Sequence, residues 1–357
     1  MTRFGSGSVA LAGGLLALIA GDLGCASTRI AADELPLQPI AVLYWGPEDA
    51  RRRAEIEEKA KEAGPSDRRG GRSGRMGVAR LEDLGSLIGL GDKATRRDLD
   101  RFPGNLSLVD PRTGAIERVE AAPRGARPLA WSKDGRRLMF TAEAGTGRWQ
   151  LFEYDRVSRE VRRLTSGARM HPVGTYGPDG RLAYLSVAVD GQTADLELRI
   201  TGRHGANPRP LIRGQGTDAI AWSSAEGPVV YVQYRRRPGK RDPVAFLEAL
   251  DPKGGGVGRT LGPGKAPSFS PDGSWLVYAV EDGDSSRLRR VRPNGAGRSY
   301  LGKKRREEAD PDVSPDGLFV VYVGSEPGRH DRLFVRRFDG TGDRVLIADG
   351  GVAHPTW

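Results

Sequence analysis

The sequence has little of what several protein classes require. Cys25 is the only cysteine among 357 residues, so no internal disulfide framework can stabilise the chain. There is no G-x-S-x-G motif, and no α/β segment follows the β-rich part of the chain, which argues against a serine hydrolase. Beyond residue 25 no apolar run is long enough to cross a membrane as a helix.

The first 25 residues are typical of a bacterial export signal. Arg3 supplies positive charge, and residues 9–20 form an apolar stretch that is too short for a spanning helix. The following "GDLGCAS" resembles a lipobox, in which Cys25 is lipidated and becomes the mature N-terminus. Asp22 departs from that pattern, where Leu is preferred, so ordinary secretion is the alternative. Without Asp after the cysteine, the lipobox resemblance implies the periplasmic side of the outer membrane, and the alternative implies the soluble periplasm.

The composition is rich in residues that make turns and in positive charge. The chain contains 50 glycines and 24 prolines, which suits a turn-rich β architecture. The net charge of +10 raises the question of nucleic-acid binding. Export argues against that partner, and no basic stretch is interleaved with aromatic residues. We expect basic runs such as 235–241 and 303–306 to be solvated loops or to face anionic envelope surfaces.

A hairpin-like unit recurs along the chain. "APSFSPDGSWLVYAV" from residue 266 is followed 44 residues later by "DPDVSPDGLFVVYV", and three related units precede them. The turn glycines are spaced 45, 47, 46 and 44 residues apart; they are Gly135, Gly180, Gly227, Gly273 and Gly317. A β-type repeat of this period predicts a propeller with four strands per blade.

The residues of the unit explain its predicted shape. Ser-Pro-Asp-Gly suits a tight turn, because Pro sets φ, Asp bonds nearby backbone and Gly accepts positive φ. The apolar run after it, such as 275–280, suits a second strand buried on both faces. This pattern resembles the TolB-like family of WD-type propeller repeats over residues 101–357. The units "TYGPDG" and "SSAEG" depart from the motif, which weakens those two turn assignments.

The ends of the chain predict how the ring closes. The last residues, "GGVAHPTW", fall where a sixth first strand is due. Residues 39–46 read as a second strand, although packing elsewhere is the alternative, and 106–120 read as a third and a fourth strand. We therefore predict an all-β, six-bladed propeller whose last blade combines N- and C-terminal strands, which removes an open sheet edge.

Residues 26–100 form an N-terminal segment that holds a charged insertion at 47–100. Residues 48–63 are helix formers with little apolar face, and the Gly/Arg-rich 64–77 cannot bury enough apolar surface to order itself. Residues 79–91 predict a short helix or loop. Propeller insertions tend to project from one face, often the binding face.

Repetition also predicts a ring of polar residues at the entrance of the central channel. One residue enters each innermost strand, and these are Arg127, His171, Asp218, Ala266, Asp310 and His354. Imidazole and carboxylate groups can bind a divalent metal, which makes His171, His354, Asp218 and Asp310 candidate ligands. The alternative is a hydrated polar channel without metal. Spaced Asp residues at 281–286 and 338–343 do not complete a calcium loop and fit hairpin turns.

The function predicted from these features is that of a non-enzymatic lipoprotein of the bacterial envelope. The family resemblance implies a protein-interaction scaffold, a monomer without a required cofactor, bound to the membrane through Cys25 and to unidentified envelope proteins. The first alternative is a propeller that binds a small ligand, a glycan or a metal in its channel. The second is a degenerate hydrolase or lyase.

Overall fold

Six four-stranded antiparallel sheets are arranged in a ring, and the fold class predicted from the repeat is confirmed. The computed structural model describes eleven stretches of the chain, which are 29–62, 79–80, 103–145, 147–190, 193–223, 227–236, 243–254, 258–283, 285–303, 306–326 and 331–357. Residues 1–28 and 63–78, which include Cys25 and the Gly/Arg-rich run, lie outside these stretches, as do 81–102. The predictions on the signal segment, on 64–77 and on most of 79–91 therefore remain predictions.

The strands fall into blades in chain order. Blade 1 consists of β5 (Arg127–Trp131), β6 (Arg137–Glu143), β7 (Trp149–Asp155) and β8 (Val161–Arg163). Blade 2 consists of β9 (Gly174–Tyr176), β10 (Leu182–Asp190), β11 (Thr193–Ile200) and β12 (Arg209–Arg213). Blade 3 consists of β13 (Ile220–Trp222), β14 (Val229–Arg235), β15 (Val244–Leu250) and β16 (Arg259–Pro263).

The remaining blades repeat this plan. Blade 4 consists of β17 (Lys265–Phe269), β18 (Leu276–Asp282), β19 (Ser285–Val291) and β20 (Ser299–Tyr300). Blade 5 consists of β21 (Glu307–Val313), β22 (Phe319–Ser325), β23 (Arg332–Arg337) and β24 (Asp343–Ile347). Blade 6 consists of β25 (Gly351–Thr356), β1 (Ile40–Trp45), β3 (Asn105–Val109) and β4 (Ile116–Arg118), in that spatial order. Two short 3₁₀ turns lie at Pro178–Gly180 and Arg203–Gly205.

The second strand of each blade is buried on both faces, as its continuous apolar run predicts. In β22, residues Phe319 to Gly324 are all buried. Side chains of neighbouring blades share one core cluster; Val277 and Leu288 of blade 4 pack with Val320 and Phe334 of blade 5. Apolar burial between blades therefore holds the ring together, since each blade covers the faces of the next.

Both the serine and the glycine stabilise the Ser-x-Asp-Gly turns. Ser314 Oγ accepts the backbone N–H of Phe319 at 2.9 Å and donates to Asp316 Oδ1 at 2.5 Å. Gly317 has φ +74°, a left-handed conformation that glycine adopts without strain. The same serine-centred arrangement recurs in the other Ser-x-Asp-Gly turns, at Ser132 and Ser270.

Blade 6 closes the ring as predicted. Strand β1 pairs with β25 on one side and with β3 on the other. Trp357 is 5% exposed, and its indole Nε1 donates to the carbonyl of Gln38 at 2.9 Å. Residues 39–46 therefore supply the second strand of this blade, and the alternative that they pack elsewhere is wrong.

The ring has two different faces. The mouth face carries the first residues of the innermost strands and the hairpins between second and third strands. The turn face carries the Ser-x-Asp-Gly turns and the turns between third and fourth strands. Helix α1 (Pro47–Glu62) leaves the end of β1 on the mouth face, so the insertion begins there. Strand β2 (Ala79–Arg80) pairs with the start of β11, at the same face.

Among the described residues, no helix is both long and apolar enough to cross a membrane.

Candidate functional site

All six blades line a cavity of about 650 Å³ at the mouth of the central channel. The innermost strands converge there, because repetition brings one strand start per blade to the same level. The charged and aromatic lining includes Arg127, Asp218, Lys265, Asp310, His354 and Trp149. The structure thus brings together four of the five polar residues predicted for the ring.

Three neighbouring blades share a strained backbone at this level. Ala266, Asp310 and His354 have φ of +46°, +46° and +50°, and each precedes a proline. A left-handed conformation is uncommon for residues other than glycine, and a following proline restricts the backbone further. Each lies at a β-bulge in its strand pairing, and bulges re-aim side chains. Strain that recurs at one ring level is typical of a functional site.

Asp310 and His354 form a pair across blades 5 and 6. His354 Nδ1 lies 3.5 Å from Asp310 Oδ2. Loss of hydration lowers the pKa of His354, and the positive charge of Arg127 lowers it further, whereas Asp310 acts in the opposite direction. The His354 side chain is 47% exposed, so its ring nitrogens can also form hydrogen bonds with a ligand in the mouth.

Asp218 lies on the opposite side of the mouth, in blade 3. The hydroxyl of Tyr234 donates to its Oδ2, and its Oδ1 is buried without a hydrogen-bond partner among the described residues. Burial raises the pKa of Asp218, and the charge of Asp310 raises it further. An unsatisfied buried oxygen costs free energy, which a donor group of an incoming ligand would recover.

The wall of the mouth near blades 1 and 6 is aromatic. The guanidinium of Arg127 lies 5.0 Å from the ring centre of Trp149, and that of Arg53 lies 4.3 Å from Trp45. Arg53 belongs to α1, so the charged insertion contributes one side chain to the lining. The mouth therefore combines two arginine–indole contacts near blades 1 and 6 with the carboxylates of Asp218 and Asp310.

Asp312 forms the floor beneath the mouth and ties three blades together. It accepts the hydroxyl of Ser268 from blade 4, and the Thr356 hydroxyl and Trp357 N–H from blade 6, the latter two at 2.9 and 2.7 Å. Burial raises the pKa of Asp312 despite these donors. Asp312 therefore holds the innermost strands of blades 4, 5 and 6 together, directly below the positions with positive φ.

His171 does not lie at the mouth, contrary to the sequence prediction. Its ring is 7% exposed, with Nδ1 3.0 Å from Gln150 Oε1 and the ring edge against Tyr184. Burial, followed by nearby arginines, lowers the pKa of His171 to about 4. In blade 2 the innermost strand starts only at Gly174, so His171 belongs to the connection before it. Its neighbour Pro172 lines the cavity instead.

The predicted metal ligands are therefore not assembled as a set. Within the stretches that the structure describes, no group of three His, Cys, Asp or Glu side chains is placed to hold a metal ion. Asp310 and His354 meet, whereas Asp218 is held by Tyr234 and His171 is buried elsewhere.

Several side chains at or near the mouth were not predicted from the sequence. Lys265 lies one residue before the predicted ring position in blade 4, and Asp312 lies two residues after Asp310. The Asp-Pro-Asp spacing in "EADPDV" was a usable signal, because alternate residues of a strand share a face. Trp149 and Tyr234 come from other strands, and only the fold brings Trp149 to the mouth and Tyr234 to Asp218.

A second depression, of about 720 Å³, lies on the outer side of blade 1. Two ion pairs occupy four of its charged side chains. Arg162 bonds Glu153 at 2.7 Å, Tyr176 donates to the same carboxylate at 2.6 Å, and Arg136 bonds Asp155 at 2.8 Å. Because these pairs are satisfied within the protein, this depression is a weaker candidate for a ligand site than the mouth.

The architecture and the mouth define the class of protein, a six-bladed β-propeller with a TolB-like fold. Putative TolB from Agrobacterium tumefaciens superposes with a TM-score of 0.55 at 20% identity, over 67% of this chain and 87% of that one. TolB from Acinetobacter baumannii gives 0.53 at 18% identity, over 71% of this chain and 62% of that one. At such identities the likeness concerns the fold alone.

Sequence comparison also finds similarity to proteins named TolB. The Tol-Pal system protein TolB of Francisella tularensis subsp. mediasiatica is 22% identical over 234 residues, which are 64% of this chain and 53% of that protein. The chain thus spans about half the length of that TolB. An uncharacterized protein of Agrobacterium fabrum is 24% identical over 270 residues, covering 71% of this chain and 88% of that one. No family model matches the sequence.

The fold itself does not select one function. Hydrazine synthase from Kuenenia stuttgartiensis shares it with a TM-score of 0.58 at 11% identity, over 91% of this chain and 47% of that one. The site, rather than the fold, must therefore carry any functional argument.

Proposed function

We propose that this chain is a non-enzymatic, protein-binding propeller of the bacterial envelope that presents its channel mouth to a segment of a partner protein. The observation that carries the proposal is the mouth itself. Six blades bring carboxylates, cations and indole rings to one cavity, and the strained positions of blades 4, 5 and 6 hold their side chains toward it. A cavity with both charge signs and an aromatic wall suits a peptide segment.

The similarity to Tol-Pal system proteins supports an envelope location. We place the chain on the periplasmic side of the outer membrane, held by a lipid on Cys25, with soluble periplasm as the alternative if Cys25 is not modified. We expect it to act as a monomer without a cofactor. Its partner is an envelope protein, and no nucleic acid takes part.

Charge reversal on opposite faces tests the proposal. Lys265 lines the mouth, is about half exposed and lies 3.5 Å from the exposed carboxylate of Glu281. Exposed ion pairs contribute little to stability, so Lys265→Glu changes the charge of the cavity with little effect on folding. Lys133 is an exposed lysine of the turn face, so Lys133→Glu is the matched control. Each variant carries a photo-crosslinker at Ala353 in the mouth, and envelope extracts are searched for crosslinked proteins.

The expected result is a discrete crosslinked partner for the parent and for Lys133→Glu, and a clear loss for Lys265→Glu. Equal crosslinking in all three chains, or a partner that is lost only with Lys133→Glu, would overturn the mouth as the binding site.

A second candidate function is the binding of a small molecule or glycan. The cavity volume lies within the usual range of ligand sites, and Trp149 offers an aromatic surface of the kind on which sugar rings stack. Equilibrium dialysis with periplasmic small-molecule extracts, comparing the parent with Trp149→Ala, distinguishes this function. Retention by the parent alone would favour the ligand-binding role over the protein-binding one.

A further inference from the structure

The turn face, opposite the mouth, carries the most exposed apolar side chains of the described residues. Leu37, Val157 and Leu318 are 78%, 73% and 61% exposed, and the other large exposed apolar side chains described are at most 42% exposed. Leu318 ends the first turn of blade 5, Val157 lies in the second turn of blade 1, and Leu37 lies in the segment that leads to β1. Single exposed apolar residues are ordinary, but here the extreme cases share one face.

The corner of this face formed by blades 3 and 4 is cationic. Arg259, Arg292 and Arg298 are exposed, and within the described part of the chain none of them forms a salt bridge. Backbone carbonyls position two of them: Arg259 donates to Pro293 and Arg298 to Leu261. The guanidinium of Arg292 lies 4.8 Å from the ring centre of Trp275. These arginines are therefore held in place without a carboxylate to neutralise them.

Carboxylates of the neighbouring turns accept backbone N–H groups. Asp251 Oδ1, in the turn that leads to Arg259, accepts that of Lys253 at 2.8 Å. Asp272 Oδ1 accepts the N–H of Ser274 at 3.0 Å, and Asp316 Oδ1 accepts that of Leu318 at 3.0 Å. None of these three carboxylates forms a salt bridge among the described residues, so the arginines of the corner remain available to an external anion.

The first described residues of the N-terminal segment lie at the same face. Ile30 is buried in the core between blades 5 and 6, and Glu34 bonds Arg337 of a blade 5 turn at 2.7 Å. Cys25 precedes Arg29 by four residues, so its Cα can lie at most about 14 Å from that of Arg29. The mouth lies on the other side of the ring, about 20 Å away along a strand such as β18.

We propose that the turn face docks on the membrane surface, with the arginines of blades 3 and 4 binding the phosphates of anionic phospholipids and the apolar tips entering the headgroup region. The combination favours a bilayer over a soluble polyanion, because a soluble polyanion offers no apolar environment in which the exposed Leu and Val side chains can be buried. Arginine, an aromatic side chain and protruding leucines together are what a membrane interface accommodates. The mouth then faces away from the membrane, toward a partner.

This orientation rests in part on the lipid anchor proposed above, so the test is done in a Cys25→Ser background, where no acyl chain can hold the protein. The chain that begins at position 25, without the apolar export segment of residues 9–20, is floated with vesicles of phosphatidylcholine, with and without phosphatidylglycerol. The test pair is Arg292→Gln/Arg298→Gln on the turn face. The control pair is Arg51→Gln/Arg148→Gln, which removes two exposed arginines from the mouth side.

We expect the anionic lipid to raise binding of the parent and of the control pair alike. The test pair should lose about 30-fold in the partition coefficient, from about a fivefold factor per arginine. High salt should remove the difference, since it screens charges beyond a few ångströms. An equal loss in both pairs, or no loss in the test pair, would overturn the proposal.

A second measurement reports orientation and does not depend on the arginine variants. Because Cys25 is the only cysteine, a single thiol introduced in the Cys25→Ser background can carry an environment-sensitive dye. Dye on Leu318→Cys should brighten and be quenched by brominated lipid when anionic vesicles are added, whereas dye on Arg148→Cys should not change. A response at the mouth position but not at position 318 would reverse the orientation and refute the proposal. Failure of lipidation at Cys25 would leave both measurements valid.

Discussion

Trp357 offers the sharpest test of how this ring is closed. Its indole is 5% exposed and packs against Phe319, with ring centres 6.4 Å apart, in the core between blades 5 and 6. Nε1 donates to Gln38 and the backbone N–H donates to Asp312. Trp357→Ala removes the indole from the closing blade and leaves its backbone contact in place.

The expected loss follows from the size of the buried group. Removal of a buried tryptophan side chain costs about 3–5 kcal/mol, a large share of the about 5–15 kcal/mol by which domains are stable. Trp357→Phe keeps most of the apolar surface but leaves the Gln38 carbonyl without its donor, so it should cost about 1–3 kcal/mol. Chemical denaturation followed by far-UV circular dichroism measures both losses.

Trp275 provides the matched control, because it lies partly exposed on a turn of blade 4. Trp275→Ala should cost roughly 1 kcal/mol, mainly through lost stacking with arginines. The reasoning would be refuted if Trp357→Ala were no more destabilising than Trp275→Ala, since the terminal indole would then not hold blade 6 closed.

Further outcomes are expected for the other features. Cys25→Ser should move the protein from the membrane fraction to the soluble periplasm, as cell fractionation would record; an unchanged distribution would contradict lipidation. Deletion of 64–77 should leave the melting temperature within about two degrees of the parent, because that composition buries little apolar surface. Hydrogen bonds from Ser270 and Ser274 lower the pKa of Asp272 below its unfolded value. Its stabilising effect should therefore be present above the unfolded pKa and disappear as pH falls through the folded one. Denaturation of Asp272→Asn and the parent across acidic pH should thus converge at low pH, and a constant difference would argue against this cause. Calorimetric titration with Zn²⁺, Mn²⁺ or Ca²⁺ should give no saturable heat, whereas saturable binding that is lost in His354→Ala would establish a metal at the mouth.

The repeat accounts for most of what could be predicted from sequence. Turn glycines at nearly constant spacing and apolar runs behind them are local features, and each blade forms them from its own residues. The same reasoning predicted that blade 6 combines strands from both ends of the chain. The C-terminus supplies a first strand without followers, and the N-terminal region supplies later strands without a first strand. Alignment of the third strands would also have shown Glu153, Glu197 and Glu248 at one repeat position, all of them buried.

The site was predicted less completely, because the repeat specifies a level in the ring and not the direction of a side chain. His171 has the same His-Pro context as His354, yet Gln150 and Tyr184 bury its ring between blades. Arg336 of β23 is another case: it is 2% exposed and bonds Glu308 of β21 and Asp343 of β24. Nothing local distinguishes it from the next residue, Arg337, whose side chain is 23% exposed and bonds Glu34.

The sequence by itself determined the blade, the number of blades and the closing partners, since these depend on turn chemistry and apolar periodicity within about 45 residues. Only the tertiary structure decided which polar side chains meet. The pairing of Asp310 with His354, the hydrogen bond of Tyr234 to Asp218 and the three-blade contact of Asp312 join residues from different blades or strands. Their geometry depends on how bulges and blade packing aim each side chain, and that information is distributed over the whole ring.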